Sequence, residues 1–258
     1  MNDTGSAARE LRNPDKNVRV QAAVRLGTLA DADAVAPLVE ALRTDPDFFV
    51  CETVTWALVR CGWAAVEPVI ALLDDESARA RARAAHALSK LGDARAVPAL
   101  IDRLNEQELA VREKCVLALG QLGGDAAMDA LVALLGDQQP ELATAVSRAL
   151  ESCGERALPA LVARVGDRDP DVRGQVVDLL GFTGSARAVP ALCAAAQDQD
   201  PSVRIRVLTA LSALRTHDRE QIAGLFAGAA DDPDRRVRAL AVRLASMPEP
   251  STRTRGLA

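Results

Sequence analysis

Apolar residues recur along the chain at the spacing of amphipathic helices. In successive segments they fall at positions i, i+4 and i+7 or i+8, so they line one side of a helix with 3.6 residues per turn. Short stretches rich in Gly, Asp and Pro separate these segments. They are typical of helix ends, with Gly as the C-cap and Asp or Ser as the N-cap. Such stretches are Leu91-Gly92-Asp93, Gly123-Gly124-Asp125, Asp169-Pro170-Asp171, Asp200-Pro201-Ser202 and Asp232-Pro233-Asp234.

Alternate helical segments repeat one pattern. It opens with Val-Arg and closes with Leu-Gly, as in residues 18–27, 111–120 and 172–181. The leucine near its end recurs every 30 to 32 residues, and an eighth copy begins at Val237-Arg238. The leucine column consists of Leu26, Leu58, Leu88, Leu119, Leu150, Leu180 and Leu211.

Segments of a second kind lie between these copies and carry a proline near their start. We place Pro37, Pro68, Pro98, Pro159 and Pro190 in the first helical turn, where the missing N–H costs nothing. Counting both kinds of segment, the pattern predicts about 16 helices in about 8 helical pairs, with a period of about 31 residues.

The repeated unit resembles the HEAT repeat, in particular the bacterial type found in phycobilin lyases. The resemblance is carried by the Asp-Pro turn, the Val-Arg pair, the central Ala22-Ala23 and the Leu-Gly pair. It implies an all-α fold, an α-α superhelix in the form of a right-handed solenoid. We expect residues 1–247 to form a single solenoid domain and residues 248–258 to form a disordered tail.

The resemblance also implies a ladder of ion pairs between adjacent layers. The arginines of the ladder are those of the Val-Arg pairs, and a polar residue lies six positions before each one. The arginine column has Cys51 and Ala143 at two of its positions, which should interrupt the ladder. The polar column consists of Asn13, Asp45, Asp75, Glu106, Asp137, Asp167, Asp198 and Asp232.

Composition agrees with thin, closely stacked layers. Hydrophobic residues make up 49% of the chain, aromatic residues only 2%, and Tyr is absent. Large rings would force such layers apart. Two His residues leave few groups for acid–base chemistry, which disfavours most enzyme classes, and no cofactor is expected. The five cysteines are odd in number and lack a C-x-x-C pair, so we expect reduced, buried thiols.

Charge and hydropathy limit the partners. The net charge of −5 gives no general reason for a polyanionic partner, so nucleic acid is disfavoured. No run approaches the roughly 18 consecutive apolar residues that would cross a bilayer. Residues 1–10 lack the pattern of a signal peptide. We expect a cytoplasmic protein without membrane contact.

The candidate binding residues are those that the repeat does not explain. Position 24 lies opposite the apolar side of its helix, which Val18, Ala22, Leu26 and Leu29 form, and the resemblance implies that this helix lines a concave surface. The equivalent positions hold Trp56 and His86 on neighbouring layers. The candidate partner-binding residues are Val20, Val24, Phe49, Glu52, Thr53, Trp56, Arg60, His86, Glu113, Leu117, Arg148 and Asp178.

Two roles stay open for Trp56, which either binds a partner or covers an imperfectly packed layer. Trp63 is expected to pack at the start of an outer helix. His86 has no Glu or His at ligand spacing on its own helix, so a metal site is disfavoured. Leu240, Leu244 and Met247 could leave the end of the stack poorly capped, so the oligomeric state stays open.

The sequence favours a non-catalytic scaffold that binds a protein or peptide in a concave groove. The alternative is a phycobilin-lyase-like enzyme or enzyme subunit acting on a client protein. HEAT-repeat hydroxylases need repeated His-Glu pairs for a di-iron centre, and this chain has none. HEAT-like DNA glycosylases need a basic groove, which an acidic chain does not suggest.

Overall fold

The computed structural model describes residues 3–247, which contain sixteen α-helices and no β-strand. The all-α prediction is therefore confirmed, while the predicted tail, residues 248–258, lies outside the described residues. The first helices of the pairs are α1 (Asp3–Glu10), α3 (Val35–Thr44), α5 (Trp63–Ala71), α7 (Val97–Asp102), α9 (Asp125–Ala133), α11 (Leu158–Arg164), α13 (Val189–Ala195) and α15 (Arg219–Gly228). The second helices are α2 (Lys16–Leu29), α4 (Phe48–Cys61), α6 (Ala78–Leu91), α8 (Leu109–Leu122), α10 (Pro140–Cys153), α12 (Pro170–Phe182), α14 (Pro201–Ala213) and α16 (Arg235–Ser246).

The chain divides into two compact units, one ending at Ala149 and the other beginning at Leu150. In the first unit α2 packs on α4, α4 on α6 and α6 on α8, and the first helices α3, α5 and α7 pack beside their partners. In the second unit α12 packs on α14, and α14 on α16. Each unit is thus a stack of helical pairs, as the repeat predicts. The single domain over residues 1–247 stays a prediction.

Small aliphatic side chains form the interior of both units. The members of the leucine column are exposed by at most 2%. The glycine that follows this leucine lies against an alanine of the next second helix, as Gly120 does against Ala149 and Gly181 against Ala210. A Cβ atom added to Gly181 would lie only 2.7 Å from Cβ of Ala210. The Leu-Gly pair is therefore what lets adjacent helices approach so closely.

Several helix ends follow the predicted capping chemistry, and two predicted ones do not. Asp169, Asp200 and Asp234 accept hydrogen bonds from backbone amides at the starts of α12, α14 and α16. Pro68 is the first exception, because α5 begins at Trp63 and the proline lies inside the helix rather than in its first turn. The second is α9, where Gly124 is the N-cap and makes no side-chain hydrogen bond.

The arginine ladder is present. Each of its arginines reaches from one second helix to a carboxylate in the next turn, and it also donates to backbone carbonyls before its own helix, as Arg173 does to Asp167 and Arg168. Where Cys51 interrupts the ladder, Asp75 accepts a hydrogen bond from the amide of Ser77 at 2.8 Å, and its ion-pair contact among the described residues is a distant one with Arg43 at 3.9 Å. The pairs are Arg19–Asp45, Arg81–Glu106, Arg112–Asp137, Arg173–Asp198 and Arg204–Asp232, with N–O distances of 2.6 to 2.8 Å.

The cysteines are reduced, but not all are buried. Cys51, Cys115 and Cys153 are buried, whereas Cys61 and Cys193 are half-buried. Leu29 also departs from the prediction, because it is exposed at the end of α2 instead of belonging to its buried side.

Candidate partner-binding surface

Position 24 and its equivalents lie on the accessible side of the second helices, which we call the second-helix face. Val24, Trp56 and Leu117 are exposed on α2, α4 and α8, and His86 is half-buried on α6. The remaining equivalent positions are also exposed, and they hold Arg148, Asp178, Thr209 and Arg243. The helical periodicity therefore located the accessible side of these helices correctly.

Nearly all aromatic side chains are at the surface. The chain has four Phe and two Trp, and only Phe226 is buried, at 1% exposed. The exposed rings are Phe48, Phe49 and Trp56 on α4, Trp63 at the start of α5, and Phe182. Trp63 does open an outer helix, but it is 80% exposed, so the prediction that it packs there is wrong. Its side chain has too few neighbours to cover it.

Trp56 is partly packed and partly exposed, so whether it also binds a partner stays a prediction. Its side chain is 44% exposed, and its ring also lies against Gly27 of α2. A Cβ atom at Gly27 would lie 2.9 Å from Cε3 of Trp56 and 2.8 Å from Cα of Ala57. The glycine leaves the space in which one side of the ring is held, while the rest of the ring faces solvent.

A groove of about 380 Å³ lies between α4 and α6. Cys51 and Thr55 of α4 are buried at its base, and the exposed Phe48 forms part of its wall. Leu42 and Pro46, from the end of α3 and the following turn, continue the apolar wall. We call this feature the α4–α6 groove.

Basic side chains line the other side of the groove. Arg79, Arg83 and His86 share one side of α6 because they are spaced at i, i+4 and i+7, and Lys114 comes from α8. Arg83 Nη1 donates to the carbonyl oxygen of Leu42 at 3.0 Å, which fixes its guanidinium at the C-terminal end of α3. Within residues 3–247, no carboxylate lies within ion-pair distance of Arg79, Arg83 or Lys114.

Two polar groups of the groove lack aligned partners. His86 Nε2 is buried 3.2 Å from Oε1 of Glu52, but the two are not aligned for a hydrogen bond. Thr55 is 4% exposed. Thr53 donates to the carbonyl oxygen of Phe49 at 2.8 Å, whereas the Thr55 hydroxyl makes no hydrogen bond to any described residue. A threonine hydroxyl inside a helix usually bonds to the preceding turn, so Thr55 differs from its neighbour.

The structure brings together some of the predicted residues and separates others. Glu52 and His86 meet across the α4–α6 groove. Phe49, Thr53, Trp56 and Arg60 follow one another along one side of α4 at helical spacing. The other predicted residues are spread over further helices, with Val20 and Val24 on α2, Glu113 and Leu117 on α8, and Arg148 on α10. Asp178 belongs to the second unit, where Arg206 forms an ion pair with it.

Sequence reasoning missed Phe48, Thr55, Arg79, Arg83 and Lys114, which also line the groove. The sequence did contain an indication of this side of the groove, because basic residues recur at helical spacing on α6. Of the position-24 column only His86 lines the groove, and the other lining residues lie at other positions of their helices.

The thiols of the chain are poor nucleophiles in this structure. Burial raises the pKa of Cys51, Cys61, Cys153 and Cys193, and raises that of Cys115 to about 12. In the part of the chain that is described, no three His, Cys, Asp or Glu residues cluster in a way that could hold a metal ion. No helix between residues 3 and 247 has the length and apolarity needed to span a bilayer.

The repeated segments match a known protein family. A family profile described as HEAT repeats matches residues 7–64, 60–113, 101–173 and 158–246. No curated protein sequence matches the chain significantly.

Several solved structures are similar over most of the chain. Human deoxyhypusine hydroxylase in complex with glycerol is 23% identical, covering 94% of this chain and 96% of that one, with a TM-score of 0.41. The complex of CpcE and CpcF of phycocyanin lyase from Nostoc sp. PCC7120 is 22% identical, covering 95% of each chain, with a TM-score of 0.44. An engineered protein is 20% identical, covering 95% of this chain and 78% of its own, with a TM-score of 0.39.

Proposed function

Because the chain belongs to the HEAT-repeat family, we propose that it is a non-catalytic scaffold that holds a segment of a partner protein. The segment would lie on the second-helix face of the first unit, centred on α4. This proposal includes the predicted residues of that unit on α2, α4, α6 and α8 as contacts. The phycobilin-lyase-like alternative stays a prediction, since no feature of the described residues favours it.

The observation that carries the proposal is the placement of the aromatic side chains. Burying a large apolar side chain stabilises a fold by roughly 1.5–3 kcal/mol, yet five of the six rings are exposed, and three of them lie on α4. Aromatic residues are enriched in the buried centres of protein interfaces. A partner that covered Phe48, Phe49 and Trp56 would recover the stabilisation that folding alone leaves unused.

The packing of Trp56 on Gly27 supports the same proposal. A ring that is already held on one side loses little conformational freedom when a partner covers its other side. Trp56 is therefore suited to be the central anchor, while Glu52, Arg60 and Glu113 provide a polar rim.

The proposal is tested with Trp56→Ala. A random peptide library displayed on phage is selected against the wild-type protein, and the affinity of the enriched peptides is then measured for each variant. Trp56→Ala should weaken binding about tenfold or more, as expected for the loss of an aromatic anchor. Because half of the ring is buried, the free energy of unfolding should fall by only about 1–2 kcal/mol.

Trp63→Ala is the matched control, because it removes an exposed tryptophan of the same unit outside the second-helix face. It should leave peptide affinity unchanged. Equal affinity of the wild type and Trp56→Ala would contradict the role of the ring as an anchor, and a large loss of stability without a binding effect would show that the ring is part of the core.

A further inference from the structure

We infer that the α4–α6 groove binds an acidic stretch of the partner, in which an Asp or Glu is adjacent to an apolar residue. The inference rests on the proposed function and specifies the chemistry of the bound segment. The aromatic side chains alone would favour any apolar segment, whereas the groove adds a requirement for negative charge.

The charge of the groove is not neutralised from within the protein. Arg81, on the same helix α6, does have a carboxylate partner, because it forms two hydrogen bonds with Glu106, at 2.8 and 3.1 Å. Arg79 and Arg83, on either side of Arg81 in the sequence, have no such carboxylate among the described residues. In a chain with a net charge of −5, unpaired arginines that converge on one groove are suited to a carboxylate, which accepts two parallel hydrogen bonds from a guanidinium.

The orientation of Arg83 also favours a bound carboxylate. Its Nη1 is held by the carbonyl oxygen of Leu42 at 3.0 Å, while Nε and Nη2 keep their donors free for a ligand. Lys114 reaches the same groove from α8. A carboxylate placed there would interact with a fixed donor and with two mobile cations.

The apolar part of the groove is the reason why the bound segment should contain an apolar residue next to the Asp or Glu. Leu42, Pro46 and Phe48 line it on the side of α3 and α4. Its volume of about 380 Å³ is at the low end of the range for ligand sites and fits a few side chains. An Asp or Glu next to a Leu or Phe would therefore place its charge on α6 and its apolar neighbour against Phe48.

The base of the groove contains an additional donor. Thr55 is 4% exposed and lines the groove. The Thr55 hydroxyl makes no hydrogen bond to any described residue, so it is available to a carboxylate or to a peptide carbonyl of the bound segment.

A peptide fits this groove better than a nucleic acid does. A nucleic-acid strand requires a continuous series of cations along its phosphates. Here Glu52 lies within the groove beside His86, and the whole chain is acidic. These negative charges would repel a polyanion while leaving room for a single carboxylate.

The sequences of the peptides enriched by display against the wild-type protein give the first test. They should contain Asp or Glu next to Leu, Ile or Phe more often than the unselected library does. Enriched peptides that lack acidic residues but still depend on Trp56 would overturn this inference and leave the proposed function standing. An absence of enriched peptides would contradict both.

The second test measures the affinity of one enriched peptide for variants of the groove. Arg79→Gln and Lys114→Gln should each weaken binding about tenfold, the effect of losing one charge-assisted hydrogen bond. Thr55→Val should also weaken binding without lowering the melting temperature, because the hydroxyl has no partner to lose. Raising the salt concentration should weaken wild-type binding.

Arg187→Gln provides the matched control, because it removes an exposed arginine of the second unit. It should leave affinity unchanged. Equal affinities of Arg79→Gln, Lys114→Gln and the wild type would overturn the inference. So would a single-stranded oligonucleotide that displaces the peptide and itself loses affinity in Arg79→Gln, because the groove would then be a nucleic-acid site.

Discussion

In three of the repeats, the glycine after the column leucine allows adjacent second helices to pack closely. A Cβ atom would be 3.2 Å from Cβ of Ala149 at Gly120, and 2.7 Å from Cβ of Ala210 at Gly181. The sequence shows that Leu-Gly recurs, but it does not show what the glycine contacts, because the alanine lies about 30 residues further along the chain. At Gly27 the same space holds the ring of Trp56, so one consensus position contributes both to stacking and to the candidate site.

Gly181→Ala should destabilise the second unit. Alanine favours helices by about 1 kcal/mol over glycine, but the added methyl group would overlap Ala210, and overpacking costs about 1–3 kcal/mol. We expect a net loss of up to about 2 kcal/mol in urea unfolding. Gly224→Ala on α15, where a Cβ atom meets nothing within 4 Å, is the control and should be neutral or stabilising. Equal effects of the two substitutions would contradict this account of the glycine column.

At the level of elements, each arginine of the ladder connects three parts of the chain. Arg173 on α12 donates to Asp198 with Nε and Nη2, at 2.6 and 2.8 Å, and with Nη1 to the carbonyl oxygens of Asp167 and Arg168. It therefore fixes the turn before its own helix to the turn before the next second helix. The resemblance to the HEAT repeat implied this ladder, and the columns of arginine and carboxylate located its members and its interruption at Cys51.

Arg173→Lys tests whether the geometry of the guanidinium matters, beyond its charge. Lysine keeps the charge but cannot donate to Asp198 and to two carbonyl oxygens at once. Both partners are largely shielded from solvent, so we expect a loss of about 1–2 kcal/mol in the free energy of unfolding. Arg168→Lys, at an exposed neighbouring position, should have no effect. A loss in both variants would point to a general effect of lysine in this turn.

The candidate site was only partly predictable at this level. Helical periodicity placed Trp56, Leu117 and Val24 on the accessible side of their helices. It could not identify the α4–α6 groove, because the groove combines side chains of α4, α6 and α8 that come together only when adjacent repeats are stacked. The exposure of Trp63 was also beyond the pattern, because the residues that could cover a helix start come from other elements of the fold.

At the level of the whole molecule, the repeat was sufficient to predict the fold. A period of about 31 residues, two kinds of amphipathic segment and a shortage of rings already indicate stacked helical pairs. The division of the chain at Ala149 and Leu150 had no counterpart in that pattern. The leucine column continues through both units at the same spacing, so it does not mark where one compact unit ends.

Acid should destabilise the protein through its turn carboxylates. Hydrogen bonds from Arg204 lower the pKa of Asp232. Burial alone would raise the pKa of Asp198, but Arg173 and the amide of Asp200 lower it below the ordinary value of 3.8. A carboxylate whose folded pKa is depressed contributes stability above its unfolded pKa, and this is lost as the pH falls through the folded pKa.

We therefore expect the free energy of unfolding to fall below pH 3.8, the ordinary pKa of these groups, as measured by urea titrations at a series of pH values. Asp232→Asn should lower stability at neutral pH and make the acid dependence shallower. Asp129→Asn, at an exposed aspartate without an ion pair among the described residues, should leave the pH profile unchanged. An unchanged acid dependence in Asp232→Asn would contradict the assignment.

The positions of the two tryptophans also determine what fluorescence measures in this protein. With no Tyr in the chain, ultraviolet fluorescence comes from Trp56, at 44% exposed, and Trp63, at 80% exposed. Both indoles already contact water in the native state, so their emission depends weakly on whether the aliphatic core is intact. Fluorescence is therefore a signal of what covers Trp56 on α4 and Trp63 on α5, and the state of the helices themselves has to be followed by circular dichroism.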